Sequence, residues 1–236
     1  MQTPNEVLLI NKSDVDELKP STLSMMPEDQ MKPFSDAEVR ALFAYLRHNQ
    51  QVPQLATAEN AKDLFNGKDL SGWIGDPKLW SVENGELVGK SPGLKHNEFL
   101  RSELAAENFR LSLKVKLTPN KENSGIQFRS EPAANGEMKG PQADVGAGWW
   151  GKLYEELGRG LLAKEGGEKF VKPEEWNDYL LEAVDGHIRI SINGNLCTDY
   201  KDDQLARRGL FAFQLHSGGP LEVRFKEIKL EVLPKK

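Results

Sequence analysis

Four short stretches of this 236-residue sequence each place two polar side chains two positions apart among apolar neighbours. They are Arg101 and Glu103 in FLRSE, Gln127 and Arg129 in SGIQFRS, Gln142 and Asp144 in PQADVG, and Gln214 and His216 in FAFQLHS. Successive side chains of a β-strand point to opposite faces, so each pair would share one face while its apolar neighbours occupy the other. Amides and guanidinium groups recognise hydroxyls and carbonyls, and an aspartate and a histidine can move protons near neutral pH. A solvated outer sheet face would explain any one of these strands. Exposed faces, however, are usually rich in Lys, Glu and Thr, and none of the four pairs holds a lysine.

Between the third and fourth pairs lies GAGWWGKLYEELGRGLL at 146–162. Trp149 and Trp150 sit between glycines, as in a loop, where at least one ring could be exposed and stack on the C–H face of a sugar. Two tryptophans sealing the edge of a core explain the pair equally well. Lys152, Tyr154, Glu155, Glu156 and Arg159 follow within eight positions, the densest set of ionisable groups beside an aromatic pair in the chain. The expected pocket is therefore lined by Arg101, Gln127, Arg129, Gln142, Asp144, Gln214 and His216, and covered by the 146–160 loop. His48 ends a helix, His187 follows the Asp185-Gly186 turn, and His96 stands in a KHNE loop near the rim.

The elements that must position these groups change character near residue 60. Ser35 and Glu38 fit a capping box, with Phe34 and Val39 placed for a hydrophobic staple. Val39, Leu42, Phe43 and Leu46 then repeat at helical spacing, predicting a helix over 36–48. Residues 49–61 read as a linker. From residue 62 onward GELVG, FRLSLKVKL, SGIQFRS, DYLLEAV, HIRISIN, GLFAFQLH and LEVRFKEIKLEVL alternate, with VDGH and INGN as tight hairpins. Only 152–158 and 202–207 read as short helices. The expected fold is all-β, a jelly-roll sandwich of two antiparallel sheets with a short N-terminal helical appendage.

Composition excludes several classes. One cysteine, Cys197, rules out an internal disulfide, a Cys-based zinc site and covalent c-type haem. A net charge of −5 without a basic cluster argues against nucleic acid. No apolar run approaches the roughly 20 residues that span a bilayer, and the first residues lack a signal-peptide pattern. A divalent metal could sit among Asp144, Glu155 and His216, but no H-x-H, HExxH or aspartate-rich loop calls for one. No cofactor is expected.

LFNGKDLSGW (64–73), WSVENGELVG (80–89), ENFRLSLKVKL (107–117), NSGIQFR (123–129), EWNDYLLEAVDGHIRISINGN (175–195) and QLHSGGPLEVRFKEIKL (214–230) resemble the 3-keto-disaccharide hydrolase domain family. The resemblance covers nearly all of 62–232, in order, and implies that 62–236 is a concanavalin-like jelly roll acting on a carbohydrate or oxidised glycoside, in a periplasmic or secreted protein. KSDVDELKPSTLSMMPEDQMKPFSDAEVRALFAYLR (12–47) is similar to the end of haem-binding domains fused to such modules. There a methionine of the SMMP loop, here Met25 or Met26, is an axial haem ligand. Without a CxxCH site, 1–48 is expected to be a truncated fragment that holds no haem, and a redox partner domain could belong to a longer protein.

The ketone of such a substrate makes the C2 proton acidic, which calls for a base at C2, a donor at the ketone oxygen and an acid at the glycosidic oxygen. His216 or Asp144 could be the base, with Glu155 or Glu156 as an orienting or alternative carboxylate. Arg129, Arg101 or Lys152 could hold the enolate. Glu103, Gln127, Gln142, Trp149, Trp150, Tyr154 and Gln214 are the remaining expected substrate contacts. Two other readings compete. One is a conventional glycoside hydrolase with carboxylates about 5–5.5 Å or about 6.5–9.5 Å apart; the other is a non-catalytic carbohydrate-binding module.

Overall fold

The computed structural model describes residues 9–17, 19, 29–47 and 53–235. Met25, Met26 and His48 lie outside the described residues. The chain divides into two units, 1–52 and 53–236. In the first, helix α1 (Asp36–Leu46) begins at the expected capping box, with the Ser35 N–H donating to Glu38 Oε2 at 2.8 Å and Glu38 N–H to Ser35 Oγ at 3.4 Å. Phe43 and Leu46 of its apolar stripe are exposed. No helix among the described residues is long and apolar enough to cross a membrane.

The second unit is built of strands β1 (Gln54–Leu55), β2 (Trp73–Ile74), β3 (Trp80–Glu83), β4 (Glu86–Ser91), β5 (Glu98–Ala106), β6 (Phe109–Thr118), β7 (Asn123–Pro132) and β8 (Met138–Gly146). They continue with β9 (Leu153–Glu156), β10 (Gly160–Ala163), β11 (Asn177–Val184), β12 (His187–Ile192), β13 (Asn195–Lys201), β14 (Gly209–Leu215) and β15 (Leu221–Val232). One sheet runs β1-β5-β14-β7-β8-β9-β10 with β2 also on β5; the other runs β13-β12-β11-β6-β15-β4-β3. Every pairing is antiparallel except the short β1–β5 ladder. The result is the two-sheet sandwich that the alternation predicts.

The hairpins form where turn chemistry demands them. Asn84-Gly85 and Asn193-Gly194 all take positive φ, as a two-residue turn matched to strand twist requires. Three stretches differ from expectation, the first being residues 202–207, read as a short helix, which form only turns and bends between β13 and β14. Residues 53–61, read as linker, supply β1 and a 3₁₀ turn whose Ala61 is buried in the core. Residues 152–158, read as helix, form β9 and its turn, paired to β8 through Gln142 opposite Tyr154. A four-residue strand carries too few residues for its two-residue period to stand out from a helical one.

The core lies between the sheets. Ile126, Phe128, Ala143, Val145, Phe211, Phe213 and Leu215 of the first sheet meet Phe109, Leu111, Val115, Leu181, Val223 and Phe225 of the second. Phe213 packs on Phe225 with centroids 4.1 Å apart, and Phe109 meets Phe211 edge-on at 4.8 Å. Each such side chain contributes on the order of 1.5–3 kcal/mol by burial. This fixes which face of β5, β7, β8 and β14 must turn away from the core.

Candidate functional site

The four strands that carry the polar pairs are neighbours, in the order β5-β14-β7-β8, with β9 next. Directly opposed residues share a face, so register lays the side chains out in rows. One row runs Arg101, Ala212, Gln127, Gln142, Tyr154. In the next, Phe99 opposes Gln214 and Gly125 opposes Asp144, whose N–H donates to the Lys152 carbonyl at 3.0 Å. Arg101, Lys152, Tyr154, Glu156 and His216 are half-buried, while Gln127, Gln142, Asp144 and Gln214 are only 0–3% exposed.

These four interior groups form one hydrogen-bonded chain. Gln127 Nε2 donates to Gln142 Oε1 at 3.0 Å, and Gln142 Nε2 donates to Asp144 Oδ1 at 2.7 Å and Gln214 Oε1 at 3.3 Å. Ser130 Oγ donates to Gln127 Oε1 at 2.5 Å. The Gln142 side chain lies flat across Gly125, where a Cβ would stand 2.3 Å from Gln142 Cδ. A mid-strand glycine here is a space requirement, since any side chain would occupy the volume of the amide. The Asp144 carbonyl accepts from the Tyr179 hydroxyl of the opposite sheet and from Gly151 N–H, both at 3.0 Å, which fixes its backbone.

Asp144 Oδ2 and Gln214 Nε2 end this chain as buried polar atoms without a partner among the described residues. Burial pushes the Asp144 carboxyl up to about 7; the Gln142 bond and the charge of Lys152 oppose that rise and the charge of Glu156 adds to it. Glu156 is itself raised, by burial and by Glu137, while the charge of His216 draws it down. A free acceptor titrating near neutral pH beside a free amide donor can accept a proton and bind the oxygen on which charge then develops. Two carboxyls that both resist ionisation also allow one of them to stay protonated as an acid.

The profile of the 3-keto-alpha-glucoside-1,2-lyase-like domain matches residues 60–231. The chain belongs to this family. Among solved structures, a candidate glycosyl hydrolase from Parabacteroides distasonis superposes with a TM-score of 0.57 at 21% identity, covering 76% of this chain and 98% of that one. A protein with a galectin-like fold from Bacillus subtilis gives 0.55 at 10% identity over 74% and 96%. The carbohydrate-binding module CBM66, also from B. subtilis, gives 0.51 at 18% over 68% and 95%. At these identities the likeness is one of fold. No curated protein matches the chain.

Not every expected residue lies on the polar face of this lyase-like domain. Arg129 leaves it because β7 carries one extra residue between Gln127 and Glu131, with Arg129 at φ +49°. Such a bulge reverses parity, placing Ser130 on the face and Arg129 off it. The Arg129 guanidinium donates to the carbonyls of Glu107, Asp185, Ala206 and Ala183 and to Asn108 Oδ1, so all five N–H groups are occupied. Burial pulls it down to about 10, leaving it cationic at neutral pH. It ties strands together and has no donor left for an enolate.

Glu103 falls within a second irregularity, between Arg101 and Ala105 of β5; it is exposed, and its N–H bonds to the Gly72 carbonyl. Glu155 points off the face into a two-point ion pair with Arg159, which also holds Asp202, and this pairing keeps its carboxyl below the usual range. Glu155 therefore stands apart from Asp144 and His216. Among the described residues no three His, Cys, Asp or Glu side chains converge as metal ligands. Arg129, Ser130 and Glu155 line a cavity of about 340 Å³ with Lys139, Gln204 and Arg208.

Trp150 is 1% exposed and its Nε1 donates to Asn120 Oδ1 at 2.8 Å, so it belongs to the core. Trp149 is 38% exposed, edge-on to Tyr154 at 6.1 Å with Lys152 Nζ 5.3 Å from its ring. The face also includes Glu156, which the sequence left undecided against Glu155, and Ser130, which it passed over. Glu156 was findable: once 153–156 is a strand, Lys152, Tyr154 and Glu156 share parity. Ser130 was not, because its position depends on the bulge.

Proposed function

We propose that this domain cleaves a 3-keto-glycoside by elimination across C1 and C2, with Asp144 as the base. The observation that carries this reading is the pair of unpartnered buried groups, Asp144 Oδ2 and Gln214 Nε2, whose partner atoms are both held by Gln142 Nε2. Asp144 takes the C2 proton, and the C–H electrons move onto the ketone oxygen, where the Gln214 amide donates to the enolate. The carbonyl then re-forms, the C1–C2 double bond appears and the C1–oxygen bond breaks. His216, beside the Glu156 carboxylate, protonates the departing alcohol oxygen. Water added across the double bond gives the 3-keto sugar and completes a net hydrolysis. In this assignment Glu156 attends the acid His216, whose Nδ1 is engaged with the Ser217 carbonyl at 2.7 Å.

Family membership supports the substrate class, and Trp149 with Tyr154 supplies an aromatic margin suited to a sugar ring. A second reading, direct hydrolysis of an unmodified glycoside by Asp144 and Glu156, rests on the electrostatic coupling of those two carboxyls. The deciding experiment offers C3-oxidised and unmodified glucosides side by side to the wild type and to Asp144→Asn. Turnover of the oxidised substrate alone, lost in the variant, is the expected result. Turnover of the unmodified glucoside favours the second reading, and binding without turnover of either reduces the domain to a carbohydrate-binding module.

A further inference from the structure

The chain that ends on Asp144 and Gln214 has a direction, and its far end is a hydroxyl no part of the proposed chemistry uses. An ionised carboxylate can only accept, so Gln142 must turn its NH₂ toward Asp144 and its carbonyl toward Gln127. Gln127 must then present its own NH₂ to Gln142, which leaves Gln127 Oε1 in need of a donor. Ser130 Oγ, buried and 2.5 Å away, is that donor, its single proton going to this shortest contact in preference to the Phe128 carbonyl at 3.0 Å and the Pro141 carbonyl at 3.3 Å. Only with this sense do the two NH₂ protons of Gln142 reach both Asp144 and Gln214, leaving one free acceptor and one free donor side by side.

We propose that Ser130 is a positioning residue: through Gln127 its hydroxyl locks the orientation of the Gln142 amide, and so sets which face of the Asp144–Gln214 pair accepts and which donates. The β7 bulge is what makes this possible, because it returns Ser130 to the face of Gln127 three residues later. Gly140 leaves room for it, since a Cβ there would stand 2.6 Å from Ser130 Oγ. Without the hydroxyl, Gln127 gains as much by turning its NH₂ away as by keeping it on Gln142. A turned Gln142 would then point a carbonyl oxygen at the carboxylate.

The inference rests on the proposed site, but its first measurement needs no substrate. The Asp144 carboxyl is followed by ¹³C NMR through a pH titration in wild type, Ser130→Ala, Ser130→Thr and Gln127→Glu, the last presenting a second acceptor to Gln142. The other charged or titratable groups acting on it, Lys152 and Glu156, and His216 acting on Glu156, are unchanged in all four proteins, and only Gln127→Glu adds a carboxyl of its own. The Asp144 midpoint should rise by about half a pH unit or more in Ser130→Ala and further in Gln127→Glu, and stay near wild type in Ser130→Thr. Where turnover is measurable, kcat should fall in Ser130→Ala with KM unchanged. An Asp144 midpoint identical in wild type and Ser130→Ala overturns the relay, even if melting temperatures fall and whatever the added charge of Gln127→Glu does. A shifted midpoint in a protein that turns over no 3-keto-glycoside keeps the relay and removes the proposed reaction.

Discussion

Gly125 stands directly opposite Asp144 across the β7–β8 ladder, and the space its missing side chain leaves is filled by the Gln142 amide that bonds Asp144. The carboxylate and the glycine are thus parts of one feature. Gly125→Ala would drive its Cβ into that amide. Overpacking predicts a loss of about 1–3 kcal/mol in urea denaturation. It also predicts a larger proportional loss of turnover, because Gln142 can relieve the clash only by leaving Asp144.

If Asp144 is the base, Asp144→Asn should lower kcat for a 3-keto-glucoside by about 10²–10⁴-fold, the usual worth of a general base. Stability should move the other way. The folded carboxyl, near 7, lies above its unfolded value, so the native state holds the extra proton and wild-type stability falls as pH rises from about 4 to about 7. The neutral asparagine escapes this. Paired melts at pH 4.5 and 7.5 should show the variant's relative stability growing with pH by on the order of 2–4 kcal/mol.

The pH profile of kcat/KM should rise through about 7 as Asp144 loses its proton. Glu156 raises that carboxyl and Lys152 lowers it, so the two neighbours predict opposite displacements. Glu156→Gln should move the rising limb to lower pH and Lys152→Met to higher pH. Shifts of the same sign would show that Asp144 does not govern the limb.

Arg129→Met should unfold the sandwich more easily by about 3–5 kcal/mol, since it removes five hydrogen bonds that tie four segments together and leaves the buried Ala183 carbonyl and Asn108 amide oxygen each short of a donor. The folded fraction should keep its KM, because the guanidinium touches no group of the polar face. A raised KM with unchanged stability would contradict the placement.

Trp149→Ala and Trp150→Ala separate margin from core. The half-exposed Trp149 should cost binding, seen as a several-fold rise in KM with little change in melting temperature. The buried Trp150 should cost about 3–5 kcal/mol of stability.

Strand periodicity alone determined the sandwich and put Gln127, Gln142, Asp144 and Gln214 on a face away from the core. A side-chain period of two is a local property, and apolar partners such as Ile126, Ala143 and Phe213 force the choice of face. The same rule misplaced Arg129, because a one-residue bulge inverts parity and nothing local to SGIQFRS announces it. Choosing Glu156 over Glu155 likewise required knowing that 153–156 is a strand paired to β8, a contact made by residues distant in sequence. Which atoms stay unpartnered was beyond the sequence altogether. Asp144 Oδ2 and Gln214 Nε2 are left over because the Gln142 amide, seated over Gly125, engages the other polar atom of each side chain. Hydrogen-bond satisfaction is counted over the neighbours that the fold assembles, and those neighbours come from three different strands.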